Sequence, residues 1–402
     1  MRALLLAAAL AAAIPGLAQD ADRIQRGIAS IEALLAKRPD DATLYFYLAK
    51  LRAEAADAKA CVEALAKVNQ LGDGFLPARQ LGFEKVWGDP AFQSLRSRME
   101  ARLPRLDYAP IEVQLEDNGL LPEGMAYDAP SRSFFVGSTA EHKVVRVSAE
   151  GVAADFTNPT AELDPVLGIA VDSPRRKLYA VTTSTLTAEG RKHRRNAVVV
   201  FDVDSGAYLR RVDIAEAQGL NDVAVAAGGR AFTTDSGAGA VYELTQGTTA
   251  KQLVAPGTLP GANGLAASPD AKKLYVAHNT GLAVVNLDSG QVKRVNNTTR
   301  ETVAAIDGLY EWHGQLVGVQ NATTPGRVIL MSLSSDGETI TKVQTLLSHH
   351  HNALDEPTTG APTERGFFLL AATGLAHYND NGTIDDPGTV PKPTILRVLL
   401  AR

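Results

Sequence analysis

The chain reads as mainly β, a six-bladed β-propeller preceded by a small domain of α-helical hairpins. Three observations predict this. Apolar residues recur at helical spacing up to about Leu103, short β-branched runs divided by turns fill the chain beyond Pro104, and one segment pattern recurs six times within that second part. The predicted layout is a targeting segment at 1–18, a helical domain at 19–104 and the propeller at 105–402.

The first residues, MRALLLAAALAAAIPGLAQD, set Arg2 ahead of an apolar run from Ala3 to Ile14, then Pro15 and Gly16, with small residues before a cut after Ala18. This is the pattern of a secretory signal peptide. The run is shorter than the ~20 apolar residues a membrane span needs, and no cysteine follows the cut to carry a lipid. The expected location is periplasmic or secreted. Charge points away from nucleic acid: 40 Lys+Arg against 45 Asp+Glu leave a net charge of -5 with no basic stripe. The single cysteine, Cys61, excludes an intrachain disulfide and a multi-cysteine zinc site.

In the helical part, Ile24, Ile28, Ile31, Leu34 and Leu35 share one face, as do Leu44, Tyr47, Leu48 and Leu51. Pro39-Asp40-Asp41 supplies a turn and a cap between them, a third helix covers Ala58 to Asn69, and Leu71-Gly72-Asp73-Gly74 breaks the chain. The closing stretch GFEKVWGDPAFQSLRSRMEAR resembles the end of tetratricopeptide-like arrays, where an aromatic after Asp-Pro docks on the preceding helix pair. Such a module suits packing or docking, so a protein partner through the helical region is a candidate.

The six repeats start at Glu123, Leu167, Asn221, Asn263, Asp307 and Glu356, at intervals of 44, 54, 42, 44 and 49 residues, which suit four-stranded blades. Turns such as Asp128-Ala-Pro-Ser-Arg132 and Asp172-Ser-Pro-Arg-Arg176 join two strands of a repeat. The ring is expected to close where the run from Thr394 to Leu400 pairs with the strand near Ile111 to Leu115.

Innermost strands of a propeller line one channel, so equivalent repeat positions converge. Five of the six opening residues carry an oxygen donor, all but Leu167. Carboxylate and amide oxygens without His or Cys favour a hard cation, Ca²⁺ or another hard divalent ion. Turn geometry accounts for a single Asn at such a position; four donors in one register call for a ligand.

The segments LPEGMAYD, GLNDVAVAAGGRAFTTD, GANGLAASPDAKKLYVA and IDGLYEWHGQL together resemble the senescence-marker-protein/gluconolactonase family. The likeness covers nearly all of the β region and none of the helical one. It implies a regucalcin-like propeller related in fold to paraoxonases and strictosidine synthase. It also implies a catalytic divalent cation on Glu123, Asn221, Asn263 and Asp307, and hydrolysis of a small-molecule lactone or ester. Sugar-lactone members tend to carry Arg two residues before the first Asn; Gly219 stands there, a departure that weakens the case for a sugar substrate.

For hydrolysis, Asp307 is the first choice as base, because Ca²⁺ acidifies bound water less than Zn²⁺ does. Glu356, as a third carboxylate, is expected off the metal as a second acid/base group. His350 and Asp222 are weaker candidates for substrate contact, and the run His349 to His351 also fits a plain polar loop. The basic run Arg191 to Arg195 fits a solvated hairpin tip in the second blade. No phosphate-binding glycine loop and no Gly-x-Ser-x-Gly elbow occurs. The other reading is a binding protein in which the ion is a structural plug and the helical region or the propeller rims hold a partner.

Overall fold

The computed structural model describes residues 17–400. The predicted targeting segment lies outside them except for its last two residues, which stand at the start of the first helix. Among the described residues no helix is long and apolar enough to cross a membrane.

Ahead of the first strand run α1 (Leu17–Leu35), α2 (Ala42–Glu54), α3 (Ala58–Leu71) and α4 (Pro90–Glu100). Their starts follow local chemistry. Asp41 Oδ1 accepts the Thr43 and Leu44 N–H groups at 3.0 and 3.3 Å. Asp57 caps α3 through the Ala60 N–H at 3.0 Å, and Asp89 caps α4 with Pro90 in its first turn. The core of this region is an aromatic series: Phe75, Phe46, Phe83 and Phe92 follow one another with ring centroids 5.3, 5.6 and 5.9 Å apart. Phe92, the aromatic after Asp-Pro, also packs on Trp87 at 5.7 Å. The helix α3 runs two residues past its predicted end. Beyond its extended C-cap Gly72, Gly74 has φ +83°, and a Cβ there would meet the Arg327 guanidinium of the fifth blade.

Six sheets follow. In blades one to six the innermost strands are Pro122–Asp128, Val166–Asp172, Leu220–Val225, Leu265–Ala267, Ile306–Trp312 and Gly360–Thr363. The sixth blade is composite. Its outermost strand is Ile111–Gln114, paired antiparallel with Thr394–Val398 in the register Ile111 to Leu396 and Gln114 to Thr394. The two ends of the β region thus meet in one sheet, as the sequence predicts.

Side-chain alternation explains why the sheets stand as a ring. Phe134 faces back into the core shared with blade six while Phe135 faces forward into the core shared with blade two; Val198 and Val199 divide in the same way between blades three and one. Six such cores, each built from two adjacent sheets, run round the ring. Every sheet is therefore buried on both faces, and no blade has a complete core of its own.

A polar staple joins the first two blades. The Asp128 carboxylate ends the first inner strand and receives Arg176 through both oxygens at 2.9 and 3.0 Å, with Ser173 and Ser131 each at 2.6 Å. Arg176 bridges onward to Asp204 at 2.6 Å. Burial alone would raise the Asp128 pKa; the hydrogen bonds from Arg176, Ser131 and Ser173 outweigh it and hold the carboxyl down to about 2. A depressed carboxyl contributes stability above its unfolded pKa of ~3.9 and loses it as pH falls. Asp128→Ala should therefore cost about 2 to 3 kcal/mol near neutral pH. In urea titrations the gap between wild type and variant should narrow as pH drops from 4 toward 2.

Candidate metal centre

The blade register sets the candidate site. The Gly264 N–H donates to the Asp307 carbonyl at 2.8 Å and the Gly308 N–H to the Thr358 carbonyl at 3.0 Å. Asn263, Asp307 and Thr358 are therefore successive equivalents. One residue further on, the Asp222 carboxylate accepts the Leu265 N–H, and Thr359 Oγ1 accepts the Met125 N–H at 3.0 Å. This corrects one assignment: the sixth register position is Thr358, not Glu356. Glu356 sits two residues earlier in a left-handed turn at φ +55°, its carbonyl accepting the Thr373 hydroxyl at 3.1 Å. The sixth repeat lacks the Gly that follows four of the other five openings (Asn221 is followed by Asp222), so the sequence offers no such marker for its inner strand.

Asn221, Asn263 and Asp307 line one cavity of about 70 Å³, and Asn321, Asn279, His278 and Ser236 add further polar groups to its wall. That is room for an ion and a water or two. Both Asp307 oxygens are held by amides, Oδ1 by Asn263 Nδ2 at 2.8 Å and Oδ2 by Asn321 Nδ2 at 2.5 Å. Asn321 also donates to the Pro357 carbonyl at 3.1 Å, tying the Glu356 loop to the same group. Glu123 is buried on the first inner strand, its carbonyl accepting the hydroxyls of Thr358 and Thr359 at 2.7 and 2.9 Å.

Charge gathers in this channel. Burial raises the Tyr310 phenol well above its usual value, and the Asp222, Asp307 and Glu123 carboxylates push it further, while the Gly360 N–H donated to its oxygen at 2.8 Å opposes them. Burial likewise pushes the Asp222 carboxyl up to about 7, against the Val223 and Leu265 N–H groups and with the Asp307 charge adding to the rise. The charged groups acting on Tyr310 are all carboxylates. An all-oxygen set of carboxylates and amides round a negatively charged channel fits a hard divalent cation.

Four sequence candidates are absent from the cavity wall: Glu123 and Glu356, placed as described above, and Asp222 and His350. Asp222 is buried as a bridge between blades three and four. His350 lines a different cavity, with Arg105, Asp107, His351 and Asn352. Conversely, Ser236, His278, Asn279 and Asn321 are wall residues that sequence reasoning passed over. Each ends or follows the second strand of its repeat, so the last polar column of the repeat alignment was the signal for them. Burial, then the positive charges of Arg294 and Arg38, push His278 down to about 4, so its ring is neutral near neutral pH.

The helical domain sits on this same rim. The Tyr47 hydroxyl donates to the Asn279 carbonyl at 2.7 Å, and the Leu76 N–H to the Thr323 carbonyl at 2.9 Å. Asp73 pairs with the 300–302 segment through its N–H to the Arg300 carbonyl at 2.8 Å and its carbonyl to the Thr302 N–H at 2.9 Å. The loops bearing Asn279, Ala305 and Asn321 therefore have the cavity on one side and the helices on the other.

Close blade contact makes the register testable. A Cβ on Gly264 would stand 2.1 Å from the Asp307 carbonyl oxygen and 2.5 Å from the Leu309 nitrogen, both backbone atoms with little freedom. Gly264→Ala should cost about 3 kcal/mol in urea unfolding. Gly88→Ala, where no atom lies within 4 Å, should change stability by less than about 0.5 kcal/mol.

No protein-family model and no curated protein matches this chain. Solved structures do. The major allergen Mala s 1 of Malassezia sympodialis has a TM-score of 0.55 at 14% identity, covering 74% of this chain and 96% of its own. The calcium-binding protein regucalcin from Agrobacterium tumefaciens has a TM-score of 0.51 at 15% identity, covering 75% and 98%. A gluconolactonase from Xanthomonas campestris, at 16% identity and a TM-score of 0.47, covers 73% and 94%. At these identities the likeness to the first two shows the fold alone, in keeping with the six sheets described above.

Proposed function

We propose that the protein is an exported hydrolase of lactone or ester substrates that depends on a divalent cation, Ca²⁺ by preference, held by Glu123, Asn221, Asn263 and Asp307. The observation that carries this is the shared cavity of Asn221, Asn263 and Asp307, with both Asp307 oxygens already oriented by amides. When bound, the cation supplies Lewis-acid polarisation of the substrate carbonyl. Asp307, held in its acceptor form by Asn263 and Asn321, takes the proton of the attacking water. Glu356 acts from the loop that Asn321 anchors, as a second acid/base group away from the ion. The neutral His278 ring and the Ser236 hydroxyl orient the substrate along the wall. The Arg2 to Ala18 pattern supports export to the periplasm or beyond.

A second reading has a specific observation behind it. The helices occupy the rim of the cavity, which suits a binding protein whose ion is structural. Hydrolysis of a lactone and aryl-ester panel by the full mature chain, stripped of divalent ions and then given Ca²⁺, separates the two. Ca²⁺-dependent turnover is the expected result. Thermal stabilisation by Ca²⁺ with no turnover on any substrate leaves the binding protein.

Asp307→Ala should abolish Ca²⁺ stabilisation and lower turnover by at least about 10³-fold. Glu356→Gln should lower turnover about 10²-fold with Ca²⁺ affinity retained; loss of affinity in that variant would make Glu356 a ligand.

A further inference from the structure

The run His349-His350-His351 finds no use in the channel, yet the fold brings it against the helical domain. We propose that Glu100, His349 and His350 form a second metal site, for a zinc-class transition ion, at the seam between the helical domain and the propeller. Glu100 is the last residue of α4, and the histidines follow the strand Thr339–Leu347 of blade five. Ligand-capable atoms of the three side chains all lie within 4.8 Å of one another, and all three residues are half-buried.

The local geometry separates the three histidines. His351 is committed to the loop: Nε2 is 2.9 Å from the Ala109 carbonyl and Nδ1 accepts the Ala353 N–H at 3.1 Å. His350 is different. The Ser348 hydroxyl donates to the Leu106 carbonyl at 3.1 Å and its oxygen receives the Leu106 N–H at 3.0 Å. With the Ser348 proton on the Leu106 carbonyl, the His350 ring donates from Nδ1 across its 2.9 Å contact with the Ser348 oxygen. That leaves the lone pair on His350 Nε2, the tautomer that metal-bound histidines take when the other nitrogen is hydrogen-bonded.

His349 Nε2 stands 3.4 Å from Glu100 Oε1. This is long for a charge-assisted hydrogen bond. It matches the edge of a tetrahedron whose bonds to the ion are about 2.0 to 2.1 Å. The other oxygen, Oε2, is held by Arg96 at 2.8 Å, and Arg96 is anchored in turn on the Pro77 carbonyl at 3.0 Å, so Oε1 is left to face the rings. The two imidazoles lie side by side with centroids 4.0 Å apart. His350 also borders a cavity of about 200 Å³, from which water can reach a fourth position. Two imidazole nitrogens and a carboxylate select a borderline ion such as Zn²⁺, whereas the channel set is all oxygen. The two sites thus differ in the metal they prefer. An ion here clamps α4 to the loop that leads into the sixth blade.

The test titrates Zn²⁺ alone, by calorimetry, into the chelator-stripped full chain kept in excess Ca²⁺. One equivalent is expected to bind. Affinity should fall at least about 100-fold in His349→Ala, His350→Ala and Glu100→Gln, and stay unchanged in His351→Ala and in Asp307→Ala. Retention in Asp307→Ala distinguishes this site from the channel, whatever the fate of the proposed hydrolase. Absence of binding to the wild type, or equal binding in the His349 and His350 variants, overturns the proposal. Should those variants fail to fold, Co²⁺ on the wild-type chain decides. Intense visible absorption of a tetrahedral nitrogen-ligated ion supports the site, and the weak spectrum of an octahedral oxygen-ligated ion overturns it.

Discussion

Mutual burial of neighbouring sheets is the constraint on which the rest of this molecule depends. No blade has a core to itself. Phe134 and Phe135, adjacent in the chain, serve two different inter-sheet cores, and the same division repeats round the ring. Such a scheme leaves an exposed apolar face at each end unless the ring closes. The strand Ile111–Gln114 closes it by pairing with Thr394–Val398 across the sixth sheet. Closure then sets the inner strands round a channel at a spacing so tight that Gly264 must lack a side chain where it meets the Asp307 carbonyl.

That same closeness concentrates charge. Polar residues stand near the start of several inner strands, and Glu123, Asp222 and Asp307 all act on the buried Tyr310 phenol. Carboxylates in such surroundings are raised in pKa or compensated. Here the amides of Asn263 and Asn321 compensate Asp307 in part, and a divalent cation would complete the task with the oxygen donors already in place.

The helical domain is part of this arrangement because its contacts fall on the loops that wall the cavity. Tyr47 holds the Asn279 hairpin, the Asp73 segment runs beside residues 300–302, and Glu100 meets the histidines ahead of the sixth blade. The helical domain therefore borders the loops that wall the cavity, and any shift of it is felt by the rim.

Much of this architecture was legible in the sequence because its causes are local. Helix caps at Asp41 and Asp89, the Pro-containing hairpin turns, two-residue alternation and the spacing of the repeats are written within a few residues of where they act. The opening residues Asn221, Asn263 and Asp307 could be read as convergent because repeat equivalence implies a common axis. Only the tertiary structure decided the rest. The sixth register fell on Thr358 because a hydrogen bond from Gly308 selects it across the blade boundary. Asn321 and Asn279 entered the site from hairpin tips of adjacent blades, and the three histidines were sorted by partners as distant as Glu100, Leu106 and Ala109. Contacts of this kind join residues hundreds of positions apart, so no local pattern records them; they exist once packing brings the blades and helices together.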